Sequence, residues 1–137
     1  MNANYYRMFP EYKFAFVKFQ SQTLSFQDAE QLNNDYKSDN NYSKIEYLLV
    51  FIDKNCIPSF GSRELKDLAN SYNTAFQANN HKIIVWLVSA PLVTAFAQLF
   101  VSQTKNNNHY CSTILKAYEL LNIPIEFRDF KQLLSNH

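Results

Sequence analysis

Glycine is nearly absent from this chain: among 137 residues there is one, Gly61. A single glycine excludes the GxGxxG and Walker A loops that cradle phosphates and dinucleotides. It also excludes the Gly-x-Ser-x-Gly elbow of the α/β-hydrolases. Cysteine is scarce too. Cys56 and Cys111 are too few for the disulfide framework of a small secreted domain, so two reduced thiols are expected. Neither CxxC nor HExxH spacing occurs, and no zinc site is expected. Charged residues make up only 18% of the chain, and the formal net charge of +1 offers no general attraction to nucleic acid or anionic membranes.

What the chain does have is apolar residues, 47% of the total, with aromatics at 16%. That composition excludes intrinsic disorder, and the length suits one domain with one sizeable core. The amino-terminal stretch MNANYYRMFPEYK lacks the continuous apolar core of a signal peptide, so a cytoplasmic location is the expectation. Ile83 to Val101 is apolar and about long enough to span a bilayer, which takes roughly 20 residues. Pro91 divides it, and Ser89, Thr94 and Gln98 interrupt it. A β-branched first half and a proline-initiated second half predict a buried strand followed by a helix, not a span.

The stretch Glu46 to Leu65 organises the rest. Tyr47 to Ile52 is apolar at every position and predicts a strand covered on both faces. Asp53 ends it, a loop carries Gly61, and Ser62 opens a helix to about Gln77 with Leu65, Leu68, Ala69, Tyr72 and Phe76 on one stripe. Before it, Asn4 to Phe9 predicts an edge strand closed by Pro10. Lys13 to Phe19 predicts a second strand, with Phe14, Phe16 and Lys18 sharing a face. Ser25 is placed to cap a helix through about Lys37, with Asp28 favouring its start and Phe26, Ala29, Leu32 and Tyr36 along its stripe.

After it, Lys82 to Val88 predicts a central strand, and Leu92 to about Ser102 a helix apolar over most of its circumference. His109 to Cys111 predicts a short last strand, and Ser112 caps a helix through about Leu121 that Asn122 and Pro124 end. Ile125 to Leu134 adds a final helical turn or two. Apolar strands alternating with helices specify an α/β fold with a mixed, mostly parallel sheet of four or five strands.

This order, together with the Asp53–Leu65 stretch and the closing HYCSTILKAYELL, resembles the STAS / SpoIIAA-like domains over roughly residues 3 to 122. The family includes anti-sigma-factor antagonists and cytoplasmic domains of sulfate transporters; the divergent SpoIIAA-like or STAS/SEC14 branch is the most similar. Its pattern is a strand ending in Asp, a loop, then Asp-Ser-Ser-Gly-Leu entering a helix. Asp53 falls on the strand-end Asp, Gly61 on the second Asp, Ser62 on the first serine and Leu65 on the leucine. Arg63 stands for the second serine and Glu64 for the glycine.

The resemblance implies helices mainly on one face, a possible phosphorylation or docking site at Asp53, Gly61, Ser62 and Arg63, and no cofactor. Read from the residues alone, Ser62 is a helix cap and Asp53 a loop-capping acid bonding the amides of Lys54 to Cys56. Cys56 and His81 belong to opposite strand ends and should not meet, so no catalytic constellation is found and no enzyme is expected.

A non-enzymatic protein-interaction or regulatory module is the leading expectation. The alternative is a small carrier for a lipid-like apolar ligand. With helices on one face, the doubly apolar strands need a second cover. The amino-terminal aromatics, the carboxy-terminal segment or a second copy could supply it; a homodimer is the preferred expectation, with the Leu92–Val101 helix as another candidate contact.

Overall fold

A computed structural model describes residues 4–59, 61, 63, 64, 67, 82–88 and 108–135. The main sheet has five strands: β1 (Tyr5–Phe9), β2 (Phe14–Phe19), β4 (Tyr47–Ile52), β6 (Ile83–Val88) and β7 (Asn108–Cys111), in the order β1-β2-β4-β6-β7. The β1–β2 pair is antiparallel and the other three pairs are parallel. The fold is therefore the expected α/β type with a mixed, mostly parallel sheet.

The β1–β2 connection is set by local chemistry. Pro10 fixes φ at the start of a short 3-10 turn, and Lys13 takes a left-handed φ of 57° while its N–H donates to the Pro10 carbonyl at 3.0 Å. Phe9 and Phe14 are then partners in register. After β2, the two-residue strand β3 (Thr23–Leu24) pairs in parallel with β5 (Ile57–Pro58) as a separate small sheet. Strands of two residues have no periodicity to detect, and this pair is absent from the sequence reading.

Helix α1 (Phe26–Ser38) starts as expected: the Asp28 N–H donates to Ser25 Oγ at 3.0 Å. Among the described helices the next is α2 (Ile114–Leu121), and here the cap differs from expectation. Thr113, not Ser112, is the cap, accepting the Lys116 N–H at 3.1 Å. The intervals explain the shift, because a cap bonds the third residue onward and the helix begins one position later than expected. Asn122 ends α2 at a left-handed φ of 54°. The tail is a full nine-residue helix, α3 (Phe127–Ser135), longer than the turn or two expected.

Strand alternation divides the core in two. Ala15, Val17 and Phe19, Leu48, Val50 and Ile52, and Ile84, Trp86 and Val88 face α1, where Ala29, Leu32 and Tyr36 meet them together with Leu24 of β3. Phe14 and Phe16, Leu49, and Val85 and Leu87 face the opposite way, onto Ala117 and Leu121 of α2 and Phe130 of α3. This explains why β4 and β6 are apolar throughout. Tyr5 and Phe9 pack at the margin of the second face. The carboxy-terminal segment, with help from the amino-terminal aromatics, thus supplies the second cover, and the need for a second copy to do so falls away. The sequence-predicted helices Ser62–Gln77 and Leu92–Ser102 lie largely or wholly outside the described residues.

The first six residues of the apolar run 83–101 are strand β6, so that run is not one continuous helix. No helix among the described residues is long and apolar enough to cross a membrane.

Candidate functional site at the carboxyl end of the sheet

In open α/β sheets the strand carboxyl ends form the usual ligand side, because loops there are free to diverge from the packed core. Two structures stand at that end of this sheet, one over each face.

Over the α1 face lies the loop that follows β4. The Asp53 N–H donates to the Phe19 carbonyl at 2.9 Å, carrying the β2–β4 ladder one step further. The Asp53 carbonyl accepts the Cys56 N–H at 2.9 Å, and its Oδ1 accepts the Asn55 N–H at 3.4 Å. Of the amides of Lys54 to Cys56 expected on the Asp53 side chain, only that of Asn55 bonds it; Cys56 bonds the backbone carbonyl instead. Ile57 N–H donates to the Gln22 carbonyl at 3.1 Å, and Ser59 donates to the Leu24 carbonyl from both N–H and Oγ, at 2.8 and 3.2 Å. Those bonds pin the loop to the segment entering α1, while Ile57 stays 49% exposed.

Gly61 is exposed, its φ lies outside the left-handed region, and a Cβ built on it would meet nothing among the described residues. Arg63 and Glu64 are exposed, helical positions. Ser62 lies outside the described residues. Among the described residues, no hydrogen bond or ion pair joins Asp53, Gly61 and Arg63.

Over the opposite face a groove of about 500 Å³ opens between β2, β4, α2 and α3. Phe16, Phe51, Ile114 and Leu134 give it apolar walls, and Lys18, Lys131 and Ser135 supply the polar groups. A smaller recess of about 180 Å³, bordered by Phe51, Leu87, Ser112 and Ile114, shares the Phe51 and Ile114 walls. Ile114 is the first residue of α2, so the positive end of that helix dipole lies at the opening. The Lys18 Nζ stands 5.1 Å from the Phe51 ring centroid, and Lys131 Nζ 5.1 Å from that of Phe127. Neither lysine is in an ion pair among the described residues.

Sequence reasoning did not single out this groove. Its one available signal was Lys18, the charged residue on the strand face that also carries Phe14 and Phe16. The other walls come from α2 and α3, remote in sequence from β2.

The thiols are poor nucleophiles where they sit. Cys56 is fully buried, and burial pushes its thiol up, partly opposed by a hydrogen bond with Ser21. Burial likewise pushes the Cys111 thiol up, opposed by the Thr113 backbone. His81 lies outside the described residues. Among the described residues, no group of three His, Cys, Asp or Glu side chains could hold a metal ion.

At the amino end of the sheet, Glu46 bridges Lys82 at 2.9 Å and Lys13 at 3.2 Å. The hydrogen bond from Lys82, with help from Lys13, holds its carboxyl below the usual range. Its backbone also accepts from Lys82 and donates to Lys13, so Glu46 fastens the starts of β2, β4 and β6 together. That is a structural clasp at the end away from the groove.

No family model, curated protein or solved structure matches the chain.

Proposed function

We propose that this protein is a non-catalytic binding module whose ligand site is the groove at the carboxyl end of the sheet, and that it carries a small, largely apolar molecule. The supporting observation is the groove itself. Its volume of about 500 Å³ lies within the roughly 300–1,000 Å³ typical of small-molecule sites, and its walls are apolar with a few polar groups. Native mass spectrometry of gently purified protein, paired with solvent extraction, tests this. A bound apolar molecule displaced by Leu134→Glu is the expected result. Protein that stays empty, and takes up no apolar probe, would overturn the proposal.

A second reading follows the STAS-like resemblance and makes the Asp53–Leu65 loop a docking surface for a protein partner or for a second copy, with Ser62 as a switch. The observation favouring it is the pinned loop that holds Ile57 out to solvent. Phos-tag electrophoresis of protein from its native cells should then show a shifted band that Ser62→Ala removes. A single unshifted band would end the switch reading.

A further inference from the structure

Two cations border the groove, and no carboxylate stands among its described lining residues. That arrangement is one-signed. In a chain whose formal net charge is only +1, it is a local property rather than a reflection of overall composition. Resting on the reading of the groove as a ligand site, we infer that its occupant is a single-chain amphiphilic anion of the fatty-carboxylate class. The carboxylate sits between Lys18 and Lys131, and the chain lies along Phe16, Phe51 and Leu134.

Three features carry this. First, Lys18 comes from β2 and Lys131 from α3, so separate elements bring two positive charges to one opening. Second, both ammonium groups rest over aromatic rings, Lys18 over Phe51 and Lys131 over Phe127. An ammonium has three N–H donors, so one resting over a ring face can still bond an anion. Third, about 500 Å³ is a volume of the small-molecule class, which suits a free single-chain amphiphile. The apolar walls alone would accept an alcohol or an alkane as readily. The lysines make the difference, since a charge-assisted hydrogen bond is about twice as strong as a neutral one.

The test uses the full chain with dodecanoate and dodecanol as probes, both below their aggregation concentrations, followed by titration calorimetry. Wild-type protein should bind one dodecanoate, more tightly than dodecanol, and added salt should weaken it. Lys18→Gln combined with Lys131→Gln should weaken dodecanoate about tenfold or more while leaving dodecanol unchanged. Circular dichroism confirms that the double variant folds. Lys18→Arg with Lys131→Arg should restore dodecanoate binding. Leu134→Glu, which puts a carboxylate against the chain, should abolish it. If dodecanol binds as tightly as dodecanoate and neither responds to the lysine variants, the anion inference fails while the groove survives. If neither probe binds, the groove reading fails with it. Dodecanoate binding that ignores both the lysine variants and Leu134→Glu lies elsewhere on the protein and overturns the inference.

Discussion

The Tyr6 hydroxyl on strand β1 donates to Oδ2 of Asp39, just past the end of α1, at 2.9 Å. An edge strand and a helix terminus 33 positions apart in the chain are thereby fastened together. Burial, then the bond to Asp39 and the negative charge of Asp39 and Asp35, push the Tyr6 phenol up from 10.0 to about 12. The folded protein therefore holds this proton more tightly than the unfolded chain does. The stability it contributes is complete below pH 10 and is lost as pH rises from 10 towards 12. Urea unfolding across that window should show a steeper loss for wild type than for Tyr6→Phe. At neutral pH, Tyr6→Phe should cost about 1 kcal/mol. Identical alkaline limbs would mean that the bond does not persist in solution.

Phe130 anchors the cover of the second face. It is fully buried, with its ring 5.6 Å from that of Phe14 and 5.5 Å from that of Tyr118. Phe130→Ala should cost roughly 3–5 kcal/mol, the range for a large core aromatic cut to a methyl. Leu115→Ala, on the exposed side of α2, should stay within about 0.5 kcal/mol. Chemical denaturation of the two variants side by side checks the contrast.

Asn33 is 4% exposed on α1, and neither its Oδ1 nor its Nδ2 has a hydrogen-bond partner among the described residues. A buried amide without partners carries an uncompensated desolvation cost. Asn33→Leu, which keeps the branching of the side chain, should raise stability by about 1 kcal/mol. A destabilised variant would show that the amide is satisfied in solution.

Gly61→Ala should be tolerated. The φ at Gly61 lies outside the left-handed region, and nothing among the described residues stands within 4 Å of the added methyl. The reduced freedom of the unfolded chain should then stabilise the protein by about 0.4–1 kcal/mol. Thermal melting shows the sign directly.

The strands β4 and β6 were legible because every residue in them is apolar, and only a doubly covered strand carries such a run. Helix α1 was legible from its cap and stripe together, Ser25 with Asp28 and Leu32 with Tyr36. The cap of α2 shifted by one residue because Ser112 and Thr113 offer equivalent hydroxyls, and only backbone geometry chooses between them. The β3–β5 pair was illegible because it rests on backbone bonds between Gln22–Leu24 and Ile57–Ser59, which no side-chain pattern announces.

The candidate sites show a similar division. Asp53 could be read as a loop-capping acid because that chemistry is local, although its side chain accepts only the Asn55 amide of the three expected. Gly61 drew notice by its rarity and by its place in the STAS-like pattern; its φ is not left-handed, and a Cβ there would meet no described residue. Lys18 owes its interest to α3, and no inspection of β2 brings Lys131 to the same groove.

The order of the main sheet also sets how the chain comes together. Of its four neighbouring strand pairs, only β1–β2 is joined by a short turn; Phe14 must find Tyr47, and Tyr47 must find Ile83, across long intervening segments. Closing those loops costs entropy before any pairing repays it, so the parallel centre forms slowly. The aromatic hairpin, fastened at Pro10 and Lys13, can assemble in about 1–10 μs, long before the rest. The edge of the finished sheet is then the natural place for folding to begin.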